Sequence, residues 1–463
     1  MEEYIYIDLN NLTEEHVGKK IMIAGRIHNK RDQKKVGFVI LRKQTSTLQC
    51  ISLKKNFGED NYKKLFSIPN ESYIYLYGIL NKLPENIQKI LSCSYNNFEL
   101  LIEDFKIISE AINIPFSLED ANDINLKERD RNLVLQSTRL DYRSFDLRTP
   151  INYCIFKLQS AISNIFRNYL LELGFIEIHS PKIIGTASEG GAQVFPIKYF
   201  DKMGYLAQSP QLYKQMCINS DFDKVFEIGH VYRAENTHSH RHLCEFVGLD
   251  VEYAITPNKS YHEIFTIIWG LLENIVNKIK SDYSNEYKYI QENYKFEELV
   301  IPKNPLIINF NEGINLLKEV GCVQQENDDL STANEKILGN IVKEKYGSDL
   351  FILDKYPTNI RPFYTMPNED DNNFSNSYDV IMRGEEISSG SQRIHDYKQL
   401  LGNIITKNMN PEHLEDYLNS FATGSKPHCG FGLGLERILM LILDLKNIRR
   451  VSLFPRDPNR IHP

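Results

Sequence analysis

Residues 18–110 alternate. In KIMIAGRIHNKR, GFVILRKQ, TLQCISLK, SYIYLYGILNKL and NFELLIEDFKIIS, apolar residues recur at nearly every second position between polar turns. That is the pattern of half-buried strands. One helix-like stretch interrupts them near 59–67. Five short strands in roughly ninety residues predict a small barrel such as an OB-fold.

The texture changes after residue 110. Residues 111–148 are polar, charged and weakly periodic, as in a linker. TPINYCIFKLQSAISNIFRNYLLELG then predicts a helix, with Thr149 as its cap and Pro150 in its first turn. Apolar positions 151, 154/155, 158, 161/162, 165/166, 169/170 and 173 form one face, and Gly174 ends it. The strand GFIEIHSP follows, and strands and helices mix to the C-terminus. The expected class is α+β, with a barrel over 1–110, a linker over 111–148 and a mixed domain over 149–463. Residues 254–350 read as mostly helical and carry no recognisable chemistry.

Composition changes little. The chain has 463 residues and a net charge of -7, so it is not a general polyanion binder, yet residues 19–43 hold nine Lys/Arg against one acid, Asp32. A basic face at one end allows polyanion binding there. No apolar run is long enough to span a bilayer, and MEEYIYIDLN lacks the features of a secretory signal. Seven scattered cysteines without a CxxC pair suit a reducing compartment, and the expected location is cytoplasmic.

Chemistry concentrates in a few stretches. KVFEIGHVYRAE and HLCEFVGLDVEY (224–235 and 242–253) read as a hairpin around the loop NTHSHR. Strand period places Arg233 with Glu235 on one face, and Phe246, Gly248, Asp250 and Glu252 on another. An aromatic, a gap and a carboxylate in line suit a stacked base beside an ammonium, whereas a surface hairpin laced with ion pairs would explain only the charges. In GYLAQSPQLYKQM, Lys214 falls in the first turns of a helix, where the dipole disfavours a cation and a bound anion would compensate. An exposed lysine accounts for this equally well. SYDVIMRGEEISSGSQRIHD reads as an antiparallel pair. Asp379 and Glu386 in it are candidates for sharing Mg²⁺, and Arg393 for gripping a carboxylate. In GFGLGLERILMLILDLKN, glycines precede a helix near Leu435 whose amides and Arg437 favour an anion. The spacing is not GxGxxG, which excludes a dinucleotide-binding unit.

VYRAENTHSHRHLCEF, GFGLGLER and the helix–strand unit ending GFIEIHSP resemble motifs 2, 3 and 1 of the class II aminoacyl-tRNA synthetases. With SEGGAQVF, QSPQLYK and EEISSGSQR they are similar to the aspartyl-tRNA synthetases of archaeal and eukaryotic cytosolic type, over nearly the whole chain. The resemblance implies an N-terminal OB-fold that binds the anticodon and a class II catalytic domain built on an antiparallel sheet. Its activity would be ATP-dependent activation of L-aspartate and transfer to the 3′ end of tRNA(Asp), by a homodimer requiring Mg²⁺. It assigns Arg233, Glu386 and Arg437 to catalysis. Glu189, Gln211, Lys214, Arg233, Asp250, Ser389 and Arg393 would bind aspartate. ATP would meet Arg233, Ala234, Glu235, Arg241, His242, Leu243, Phe246, Glu386 and the run Gly434, Leu435, Glu436, Arg437. Asp379, Glu386 and Ser389 match the metal positions, and Phe38, Gln49 and Glu99 the anticodon positions. Asparaginyl-tRNA synthetase shares this fold, but Lys214 and Arg393 would leave charge unpaired against an amide. A tRNA-binding protein with a dead catalytic domain would be expected to lose some of Arg233, Glu386 and Arg437.

Overall fold

The computed structural model describes residues 4–83, 90, 92–122, 133–187, 193–237, 239–325 and 327–463. The chain divides into two compact units, Met1–Tyr153 and Cys154–Pro463.

In the first unit a short β1 (Ile5–Tyr6) precedes β2 (Lys20–Gln33), β3 (Val36–Lys43), β4 (Ser46–Leu53), β5 (Tyr73–Lys82) and β6 (Tyr95–Ser109). They pair in the order β1-β2-β3-β4-β6-β5, and β5 returns to β2, so the five long strands close a barrel. The predicted alternation is realised: Val39, Leu41, Leu48, Cys50 and Leu100 point inward and are fully buried. The helix Glu59–Ser67 crosses the barrel at Gly37, where a Cβ would sit 2.1 Å from Phe66 Cζ. Helices Leu118–Asn122, Gln136–Asp141 and Arg143–Asp146 occupy part of the stretch read as a linker.

The helix Pro150–Glu172 buries the predicted face, except that Leu173 is left exposed. Its cap differs from expectation. The Ile151 amide donates to Asn122 Oδ1 at 3.0 Å, while the Thr149 hydroxyl donates to the Asp146 carbonyl. Gly174 ends the helix in the left-handed region, at φ 80°.

The second unit holds β7 (Ile176–Glu177), β8 (Ile183–Ile184), β9 (Pro196–Tyr199), β10 (Lys202–Leu206), β11 (Lys224–Tyr232), β12 (Glu245–Ala254), β13 (Ile307–Asn309), β14 (Leu350–Asp354), β15 (Ser377–Met382), β16 (Glu385–Gln392) and β17 (His428–Gly434). β8, β10 and β9 form a small sheet. The others form an eight-stranded sheet, β13-β14-β15-β16-β17-β12-β11-β7, antiparallel except at its two edge pairs. Helices Glu263–Asp282, Ser284–Tyr294, Phe310–Glu319 and Thr332–Tyr346 fill most of 254–350, as the pattern predicts.

Register explains how distant segments meet. Opposite residues in a ladder share a face. Glu227, Asp250, Gly432, Ser389 and Asp379 therefore form one row across five strands. Val225, Glu252, Gly430, Ser391 and Ser377 form the next row on the same face. The glycines of GFGLG lie within β17, and the last of them, Gly434, caps the helix Leu435–Ile442. They supply room for carboxylates: a Cβ on Gly430 would sit 2.2 Å from Glu252 Oε2, and one on Gly432 3.1 Å from Asp250 Oδ1.

Candidate active site

Above those rows lies a cavity of about 310 Å³, large enough for a small polar ligand. One end is a buried charge cluster. The helix Gln211–Asn219 carries Lys214 over the sheet, where its Nζ lies 3.0 Å from Asp250 Oδ1 and 3.6 Å from Glu252 Oε2. Arg393 grips Glu252 with two nitrogens, at 2.9 and 3.1 Å. Both cations are 2–3 % exposed and Glu252 is wholly buried, which rules out a lysine reaching to water. Burial pushes the Glu252 carboxyl up, but Arg393 and Lys214 outweigh it and hold the group below its ordinary range. The anion expected to offset Lys214 against its helix dipole is thus the protein's own Asp250 and Glu252. Neither cation stands unpaired. Behind Arg393, burial drives His428 down to about 4, so its ring is neutral, hydrogen-bonded through Nδ1 to the Lys426 carbonyl.

The middle of the cavity is formed by Phe246 and Arg233. β11 ends at Tyr232, so Arg233 and Glu235 sit in the following loop rather than on a strand face. The Arg233 guanidinium lies 5.5 Å from the Phe246 ring centre, and 4.0 Å separates its Nη1 from Glu235 Oε1. Arg233 Nε and Gln211 Nε2 are buried donors without an acceptor among the described residues. Such groups are costly unless a ligand satisfies them.

The far end mixes guanidinium and carboxylate groups. Arg437 donates to the carbonyls of Glu386 (2.9 Å) and Arg241 (3.3 Å), and burial lowers its pKa. Arg241 pairs with Glu335 at 2.7 Å. Arg361 bridges both oxygens of Asp379 (3.0 and 2.8 Å) and the Ser389 hydroxyl (3.0 Å). Burial, followed by the Asp379 charge, pushes the Glu386 carboxyl up. Glu386 has no ion-pair partner among the described residues, and a cation would offset that penalty. Arg361 thus links two of the three expected metal positions, Asp379 and Ser389. No cluster of three His, Cys, Asp or Glu side chains that could hold a metal occurs among the described residues.

Comparison with known proteins settles the lineage. Residues 135–458 match the family described as tRNA synthetases class II (D, K and N), and 21–108 match the OB-fold nucleic acid binding domain. The cytoplasmic aspartate–tRNA ligase of Homo sapiens is 42 % identical over 99 % of this chain and 91 % of that protein. This chain is a class II tRNA synthetase of the aspartate–tRNA ligase family. Aspartate–tRNA ligase 1 of Arabidopsis thaliana is also 42 % identical, over 98 % of this chain and 86 % of its own. Among solved structures, the aspartyl tRNA synthetase of Entamoeba histolytica superposes with TM-score 0.91 at 38 % identity, covering 99 % and 93 % of the two chains. An asparaginyl-tRNA synthetase of Pyrococcus horikoshii, complexed with asparaginyl-adenylate, superposes at 0.87 with 29 % identity over the full length of both.

In the synthetase, Gln211, Lys214, Arg233, Glu235, Arg241, His242, Leu243, Phe246, Asp250, Glu386, Ser389, Arg393, Gly434, Glu436 and Arg437 all line the one cavity. Ala234, Leu435 and Asp379 do not line it. Leu435 packs in the core. The Glu436 carboxylate accepts from the Val247 amide at 3.1 and 3.3 Å, and burial pushes its pKa up to about 7. The Ala234 amide donates to the Gln193 carbonyl. Glu189 and His238 lie outside the described residues, and His240 pairs with Glu385 at 3.1 Å. Arg361 and Glu335 were not singled out from the sequence. Glu252 was placed by strand period on one face with Asp250, without a role of its own. In the barrel, Phe38, Gln49 and Glu99 all lie half-buried between inward-pointing neighbours, with Gln49 directly opposite Glu99. Burial raises the Glu99 carboxyl.

Proposed function

We propose that this cavity activates L-aspartate with ATP and passes the aspartyl group to the 3′-terminal adenosine of tRNA(Asp). The α-carboxylate oxygen forms a bond to the α-phosphorus while the bond to pyrophosphate breaks. A terminal hydroxyl of the tRNA then attacks the activated carbonyl, and AMP leaves. No protein nucleophile takes part, so the residues position groups and stabilise charge. The observation that carries the reading is the Lys214–Asp250–Glu252–Arg393 cluster beside the unsatisfied donors of Arg233 and Gln211.

The cluster suggests how aspartate is chosen. The substrate ammonium takes Asp250 and releases Lys214, whose charge then meets the side-chain carboxylate together with Arg393. Glu252 keeps Arg393 in place throughout. An asparagine amide would leave Lys214 without an anion in a buried site. Arg233 bridges the α-carboxylate and α-phosphate, Phe246 stacks on adenine, and Arg241, His242 and Arg437 face the polyphosphate. Glu386 would hold Mg²⁺ together with waters and phosphate oxygens, the usual company of that ion. When bound, the cation neutralises charge on the phosphates and on the leaving pyrophosphate. Phe38, Gln49 and Glu99 contact the anticodon. The active species is a cytoplasmic homodimer.

Aspartate-dependent ATP–pyrophosphate exchange by the purified chain tests the reading. Exchange is expected with aspartate and not with asparagine. Exchange supported by asparagine alone overturns it.

A further inference from the structure

One helix outside the family motifs meets a residue of the cavity wall, Arg241. Thr332–Tyr346 packs against the turn between β15 and β16 through two glycines. A Cβ on Gly339 would sit 2.4 Å from Gly384 Cα, and one on Gly384 2.8 Å from Lys336 Cα. At that separation any side chain would drive the two backbones apart. The contact fixes the first turn of the helix against the strand that carries Glu386. Glu335, on that turn, is 7 % exposed and lies 2.7 Å from Arg241 Nη1. Lys336 next to it reaches Glu385, at 3.5 Å.

We propose that Glu335 is a positioning residue for ATP: it holds the Arg241 guanidinium at the cavity wall, aimed at the polyphosphate. The proposal rests on the reading of the cavity as an ATP site. Arg241 lies in the loop between β11 and β12, and a long side chain on a loop would otherwise lose rotamer freedom when ATP binds. Pairing one guanidinium nitrogen with Glu335 removes that freedom in advance and leaves the other donors for phosphate. This is the way an outer carboxylate orients a metal-binding histidine. The carboxylate need not stay charged. Burial, with Glu386 and Asp379 nearby, pushes Glu335 up to about 7 although Arg241 pulls it down. Incoming phosphate charge pushes it further the same way, and the neutral acid still accepts through its carbonyl oxygen.

The test is kinetic, by aspartate-dependent ATP–pyrophosphate exchange. E335M keeps the side-chain length and removes the acceptor. It is expected to raise KM for ATP about tenfold, the effect of losing one charge-assisted hydrogen bond, with kcat and the aspartate KM unchanged. E335Q, which retains a carbonyl oxygen, is expected to stay within about threefold of wild type. In an R241A background, E335M is expected to cost nothing further, because Glu335 acts through Arg241. Should E335M fold poorly, judged by thermal melting, E335A carries the same comparison. An unchanged ATP KM, a loss confined to kcat or aspartate, or a full effect persisting in R241A overturns the proposal. Absence of exchange by the wild-type chain instead overturns the functional reading on which it rests.

Discussion

Replacing Glu252 with glutamine removes the one charge shared by both pocket cations. Glu252 is wholly buried and accepts two nitrogens of Arg393 at 2.9 and 3.1 Å, with Lys214 3.6 Å away. Breaking a buried pair by removing one partner costs about 3–5 kcal/mol. Glutamine retains an acceptor oxygen, so the lower end, about 3 kcal/mol, applies. At about 2 °C per kcal/mol for a unit of this size, melting should fall by about 6 °C. The pH dependence has a definite sign. Because Glu252 titrates below its ordinary value in the folded state, its contribution is present above the unfolded pKa, about 4.3, and fades as pH falls through the folded value. The gap between wild type and E252Q should therefore be full at neutral pH and shrink in acid. Thermal unfolding of both proteins at several pH values, with exchange kinetics beside it, measures this. The aspartate KM should rise at least tenfold, since Arg393 is no longer fixed. A variant as stable as wild type with an unchanged aspartate KM would falsify the charge-cluster account.

Three further outcomes are expected. R393A should raise the aspartate KM about 100-fold while the ATP KM moves less than about threefold; equal effects on both substrates would mean Arg393 serves another end of the cavity. F38A should weaken tRNA charging about tenfold, as loss of one base stack does, and leave exchange intact; lost exchange would point to a structural role. Glu436, raised to about 7, keeps a proton in the folded state that the unfolded chain releases between about pH 4.5 and 7, so its burial costs stability as pH rises through that window. E436Q should accordingly be about 1–3 kcal/mol more stable than wild type near pH 8 and no more stable near pH 4, checked by chemical denaturation.

Much of this was legible in the chain. The strand alternation of 18–110 identified the barrel because one face of each strand is buried, and burial writes itself in period two. Asp250 and Phe246 were legible for the same reason, on a strand where a gap separates them. Thr149 misled because a hydroxyl before a proline usually caps, whereas here Asn122 supplies the acceptor from 29 positions earlier. Arg361 and Glu335 lay hidden because nothing local marks them: each is defined by a partner across the sheet, Asp379 for one and Arg241 for the other. The glycines of GFGLG were attributed to an anion at a helix start: Gly434 does cap that helix, but Gly430 and Gly432 lie within the strand, where anions approach them. The approaching anions are the carboxylates of the neighbouring strand.

That arrangement has a consequence for how the pocket can vary. β17 acts as a mould whose blank positions, Gly430 and Gly432, receive the carboxylates of β12. A side chain added to the mould would expel a charge without any charged residue being altered, and G430A should mimic a lesion in Glu252. Conversely, an engineer who swaps Asp250 or Glu252 for a smaller residue leaves a groove in β17 ready to be filled. Altering which amino acid this pocket accepts is therefore a two-strand problem, in which the acid and the blank opposite it must be recast together.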